Sequence, residues 1–159
     1  MERILIVDQL KCDGCGDCVL ACEEARRSVA SDGLACLKLV TLPDDGLWFP
    51  IVCQHCDEPL CALTCPTGAL SKNEVTGWVN LDRQRCAGCG MCVVSCPFGA
   101  VRFNSETRKP AKCDLCGGDP ACVKKCKPGA LFFSKPHLHG NKRRTELGAK
   151  LSGLIGGHH

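Results

Sequence analysis

The chain has 159 residues, enough for one domain or two small ones, and with five Phe, two Trp and no Tyr its hydrophobic core must be thin. Its formal charge of +3 is lopsided, since residues 1–101 carry 8 basic and 13 acidic side chains while residues 102–159 carry 12 and 4; this gives no case for a nucleic-acid partner. No apolar stretch approaches the roughly 18 to 20 residues that cross a bilayer, so direct membrane insertion is not expected.

In chain order, the stretch Ile4 to Cys12 reads as extended and leads into the quartet Cys12, Cys15, Cys18 and Cys22. Val19 to Val29 is the best helix candidate, with Glu23 and Glu24 preceding Arg26 and Arg27 at helical offsets. Because Glu23 follows Cys22 where other quartets have a proline nearby, the chain should continue as helix there. Cys36 lies in the apolar stretch Leu34 to Val40, outside every quartet, and reads as a buried small hydrophobe. A second quartet follows, Cys53, Cys56, Cys61 and Cys65, with His55 inside it as a candidate hydrogen-bond donor. Gly77 to Cys86 again reads as extended and precedes the third quartet, Cys86, Cys89, Cys92 and Cys96; the fourth is Cys113, Cys116, Cys122 and Cys126. Matching hexapeptides close three of them: CPTGAL at 65–70, CPFGAV at 96–101 and CKPGAL at 126–131, each followed by a further apolar stretch. These stretches are expected to pair as short strands, with loops elsewhere. Residues 137–159 hold no cysteine. There Leu147, Leu151, Leu154 and Ile155 fall on one helical stripe that Thr145 can cap, behind the basic Lys142, Arg143 and Arg144. A basic tail with a short amphipathic helix, suited to docking a partner, is expected; His158 and His159 are not read as a metal site.

The quartets use 16 of the 17 cysteines. The first and third follow C-x2-C-x2-C-x3-C, the run that holds [4Fe-4S] clusters in bacterial ferredoxins, where the fourth cysteine ligates the cluster of a partner quartet. The other two stretch only the middle gap. A disulfide framework would require an oxidising compartment, but the N-terminus offers only the apolar run Ile4 to Val7 and no cleavage pattern, so a cytoplasmic location is expected. Zinc sites take their ligands as two separated pairs, which this crowding does not resemble. Four quartets therefore imply four [4Fe-4S] clusters, each adding about −2 when oxidised, so that the loaded chain is net acidic. Glycines beside the ligands (Gly14, Gly16, Gly88, Gly90, Gly117) suit a backbone that curls closely around a cluster, and Pro66, Pro97 and Pro128 stiffen the turns leading out.

Nothing in the sequence reads as bond-making chemistry: there is no phosphate-cradling loop and no dinucleotide fingerprint. Irons fully bound by cysteine leave no position for substrate. The expected role is electron carriage without a substrate site of its own.

The second quartet, CQHCDEPLCALTCPTGAL, and the fourth, CDLCGGDPACVKKCKPGAL, resemble four-cluster ferredoxin subunits of the dimethyl sulfoxide reductase iron-sulfur group, over residues 1 to about 133. The resemblance implies an α+β fold of two interleaved bacterial-ferredoxin-like modules with short strands and helices around four cubane clusters. An outer module would comprise residues 1–50 and 107–136, and an inserted one residues 51–106. It implies cross-wise ligation: Cys12, Cys15, Cys18 and Cys126 for one cluster; Cys113, Cys116, Cys122 and Cys22 for its neighbour; Cys86, Cys89, Cys92 and Cys65 for a third; Cys53, Cys56, Cys61 and Cys96 for the fourth. The implied partner is a catalytic oxidoreductase subunit, preferably a tungsten or molybdenum aldehyde or formate oxidoreductase, with carbon monoxide dehydrogenase or hydrogenase as alternatives. A further donor or acceptor would be a ferredoxin, a flavin subunit or another copy of the chain. A free polyferredoxin and a conducting filament are the remaining alternatives.

Overall fold

The computed structural model describes residues 3–30, 33–42, 46–138, 140 and 144–145. The stripe of Leu147, Leu151, Leu154 and Ile155 lies outside them, as do Lys142 and Arg143.

Four two-stranded antiparallel pairs, four α-helices and two short 3-10 segments make up the described fold. Strand β1 (Ile4–Val7) pairs with the last strand among the described residues, β8 (Leu131–Ser134), so segments about 130 positions apart meet. The remaining pairs are hairpins: β2 (Lys38–Leu42) with β3 (Leu47–Ile51), β4 (Leu70–Lys72) with β5 (Val79–Leu81), and β6 (Arg102–Asn104) with β7 (Lys109–Ala111). Helix α1 (Asp17–Ala30) covers the expected Val19–Val29 and packs against α4 (Ala121–Lys125). The short helices α2 (Leu60–Leu63) and α3 (Met91–Val94) pack against each other.

Several elements differ from the sequence reading. The extended stretch at 4–12 ends at Val7, and Gln9–Lys11 turns into a 3-10 segment because Cys12 must bend toward the other ligands; its N–H donates to the Gln9 carbonyl at 3.1 Å. Only Val79–Leu81 of 77–86 is strand, since Asp82 Oδ1 accepts from the N–H groups of Gln84 and Arg85 and closes a turn. The β2–β3 hairpin and the three short helices occupy segments expected as loops. Four- and five-residue helices bury too few residues to leave a periodic pattern.

Two cores follow from this topology. Leu5, Ala35, Leu37, Val52, Ala111, Leu115 and Leu131 join Cys18, Cys22, Cys36 and Cys122 in the larger one, which includes Leu5 of β1 and Leu131 of β8. Leu70, Val79, Cys92 and Val101 form the smaller. Trp78 fastens one to the other: it packs on the larger core, donates through Nε1 to the Arg3 carbonyl at 3.1 Å, and lies 6.4 Å from the Phe133 ring. Among the described residues, no helix is long and apolar enough to cross a membrane.

Candidate metal centres

All four quartets enter the site by the same local device. The residue just before the second cysteine takes a left-handed conformation each time: Gly14 (φ 76°), His55 (φ 45°), Gly88 (φ 70°) and Leu115 (φ 56°). Such a conformation turns the backbone so that two cysteines three apart face one point. Glycine adopts it freely, whereas a residue with a Cβ does so at about 1–2 kcal/mol. The third cysteine then sits on the first turn of a helix whose start is Gly16, Pro59, Gly90 or Pro120, each accepting an N–H from three residues on at 2.8–3.1 Å. The closing hexapeptides share a turn as well. Gly68, Gly99 and Gly129 each donate to the carbonyl of the last cysteine, at 3.1 Å in all three, with φ of 61°, 59° and 66°.

The folded chain gathers the thiols of distant quartets. Cys12, Cys15 and Cys18 line one cavity with Cys126. Cys113, Cys116 and Cys122 line another, of about 300 Å³, with Cys22, and both Cys36 and Cys53 reach its wall. A third is lined by Cys86, Cys89, Cys92 and Cys65. The remaining thiols lie near one another: burial raises Cys56, followed by repulsion from Cys53 and, further down, Cys96, and Cys61 is raised by burial with contributions from Cys53, Cys96 and Cys56. All 17 cysteines are free thiols.

Burial and mutual repulsion raise several of these thiols. Burial pushes Cys122 up to about 12, with help from Cys22, Cys116 and then Cys18 of the adjacent cavity. Cys113 is raised first by burial and next by Cys53. Cys92 is pushed up to about 11 by burial, Cys86 and then Cys61. Cys53 also lines the cavity of Cys113, and Lys112 Nζ bonds both Cys53 Sγ and the Cys113 carbonyl, so these two groups of thiols are adjacent.

These residues fit iron-sulfur clusters. Among the described residues no three Cys, His, Asp or Glu side chains converge on a single metal ion; thiols standing off around a cavity suit a multi-iron core better than tetrahedral zinc. Ionised together, the thiols repel one another, which a cationic iron core relieves, so loading must release protons. Backbone donors already point at several of the quartets' sulfurs. Ala130 and Leu131 N–H donate to Cys126 Sγ at 3.2 and 3.3 Å, Leu115 N–H to Cys113 Sγ at 3.4 Å, and Cys36 N–H to Cys22 Sγ at 3.2 Å. The Cys36 thiol also donates to Cys22, which lowers Cys22 and, with burial, pushes Cys36 up. Cys36 is thus buried as expected, and it stands against the Cys22 sulfur.

Lys112 escaped the sequence reading. Its side chain is buried at 3% exposure, and Nζ donates to Cys53 Sγ (3.1 Å), the Val79 carbonyl (3.0 Å) and the Cys113 carbonyl (3.1 Å). The available signal was a lysine wedged between the apolar pair Pro110-Ala111 and a ligand.

Thiol-lined cavities of this kind define an iron-sulfur protein. The description "4Fe-4S dicluster domain" matches residues 45–135, and "4Fe-4S binding domain" matches residues 9–25. The chain belongs to the 4Fe-4S dicluster domain family. An uncharacterized ferredoxin of Methanocaldococcus jannaschii is 40% identical over 82% of this chain and 71% of its own. Formate hydrogenlyase subunit 2 of Escherichia coli is 32% identical over 92% of this chain and 90% of its own. The beta subunit of NADH-dependent phenylglyoxylate dehydrogenase from Aromatoleum evansii is 38% identical over 78% of this chain, which spans only 28% of that relative. A chain of the active site complex BamBC of benzoyl coenzyme A reductase aligns with 98% of this chain at 21% identity and a TM-score of 0.46, too low to bear on the arrangement of the sites. The chain is an iron-sulfur electron-transfer protein of the kind that serves oxidoreductases, not a catalytic subunit.

Proposed function

We propose that the chain carries single electrons through four [4Fe-4S] clusters between a catalytic oxidoreductase subunit and a second redox partner. The ligand sets are Cys12, Cys15, Cys18 and Cys126; Cys113, Cys116, Cys122 and Cys22; Cys53, Cys56, Cys61 and Cys96; and Cys86, Cys89, Cys92 and Cys65. The observation that carries the reading is the gathering of three thiols from one quartet with a fourth from a distant one around a common space. Bound there, a [4Fe-4S] cluster supplies one-electron oxidation and reduction. The chain's part is to supply sixteen thiolates, aim N–H donors at several of them, and bury Cys18, Cys22, Cys92 and Cys122 in two small cores. Residues 1–50 with 107–136 act as an outer module around an inserted one at 51–106, with the β6–β7 hairpin crossing the junction.

The preferred catalytic partner is a tungsten or molybdenum enzyme of the aldehyde or formate class, supported by similarity to formate hydrogenlyase subunit 2 over nearly the whole of both chains. A carrier that diffuses freely is the second reading, favoured by similarity to a relative named a ferredoxin. Native anoxic purification decides between them. Co-purification with a molybdenum or tungsten protein is the expected result; an isolated monomer would favour the free carrier, and a ladder of self-assemblies a filament.

A further inference from the structure

The four sites are not electrostatically equivalent. Lys112 brings a buried cation against one ligand of the Cys53 set, and its three acceptors match the three N–H bonds of an ammonium, where a neutral amine has only two to give. His55, in the same ligand loop, is fully buried. Its Nδ1 accepts the Val79 N–H at 2.9 Å, so the proton of the neutral ring lies on Nε2, and that atom is buried without a partner in the chain. An N–H donor of this kind is held between Cys53 and Cys56 in a left-handed conformation that glycine provides without strain in two of the other loops, and a sulfur of a cluster bound there would supply its acceptor.

We infer that Lys112, assisted by His55, makes the site of Cys53, Cys56, Cys61 and Cys96 the first of the four to accept an electron, so that the relay stores charge in its interior beside the junction with the Cys113 set. Reduction adds negative charge. A buried ammonium hydrogen-bonded to a ligand sulfur favours the reduced state and raises the potential, and an N–H bond to a cluster sulfur acts in the same direction. Lys112 is a positioning and tuning residue, with its head shared between Cys53 Sγ and the backbone of Cys113.

The inference rests on the four-cluster reading, and the test separates the two. Full-length protein, purified without oxygen, is assayed for iron and sulfide and then titrated reductively while absorbance and electron paramagnetic resonance are followed. Wild type is expected to show one cluster of the four titrating ahead of the rest. Lys112→Met, which keeps the stem and removes the charge, should lower that first step by about 59 mV or more, a tenfold change in the one-electron equilibrium. Lys112→Arg should leave it in place, and His55→Phe should lower it by less than Lys112→Met. Full iron with an unmoved first step in Lys112→Met overturns the inference while leaving the four clusters standing. If Lys112→Met fails to retain iron, wild type and Lys112→Arg decide: a separate first step in both supports the inference, and simultaneous titration of all clusters in wild type overturns it. Iron near half the expected content in wild type would sink the four-cluster reading itself.

Discussion

The region around the β1–β8 pair and the region in the middle solve the same problem with different resources. Both wrap two quartets with a left-handed turn, a short helix and a hairpin. The former adds a 14-residue helix, the β1–β8 pair and eleven buried core residues, whereas the middle has four and helices of four residues each. A four-residue helix closes barely one turn and is not stable alone. The middle region must therefore take more of its stability from metal ligation, as small scaffolds with thin cores do. The β1–β8 region, by contrast, depends on contacts between residues more than a hundred positions apart.

Removal of iron should expose this contrast most strongly. Chelation under anoxic conditions is expected to abolish amide protection in β4 and β5 before that in β1 and β8; hydrogen exchange followed by mass spectrometry reads the order, and simultaneous loss would mean that the two regions form one cooperative unit. Next in size is Cys126→Ala. It should remove the cluster held with Cys12, Cys15 and Cys18, a loss of about four irons per chain, and loosen the pairing of β1 with β8. Damage confined to the Cys113, Cys116 and Cys122 site would show that the quartets are paired differently.

A smaller effect distinguishes two glycines of one loop. A Cβ on Gly88 would lie 2.3 Å from the Arg108 carbonyl oxygen, while one on Gly90 meets nothing within 4 Å. Both have positive φ. Gly88→Ala is expected to destabilise the loaded protein by roughly 2–5 kcal/mol and Gly90→Ala by about 1–2 kcal/mol, measured as the difference in thermal inactivation under anoxic conditions. Equal effects would remove the close approach of Arg108 as the reason for glycine at 88. The smallest change is expected from Cys36→Ala, which should leave the iron content intact. Only the signal of the adjacent Cys22 site should shift, because one thiol donor is lost and the backbone N–H stays. Loss of iron would make Cys36 a ligand.

Much of this organisation was legible in the order of residues, because ligand spacing is set by chemistry and leaves a regular mark. The quartets, the repeated hexapeptides and the helix after Cys18 could all be read directly. What could not be read was set by tertiary contact. The β2–β3 hairpin pairs segments whose apolar residues do not alternate cleanly, and the burial of Lys112 depends on Val79 and Cys53 meeting it from elsewhere in the chain. His55 drew notice for its place between two ligands, but only its equivalence with Gly14 and Gly88, visible in the backbone angles, shows that the loop holds a histidine where glycine would be unstrained.

The central claim, four clusters on sixteen thiolates, is tested most directly by anaerobic assay of iron and acid-labile sulfide on the full chain. About sixteen of each per chain is the predicted result; a value near eight, or stoichiometric zinc, would contradict it.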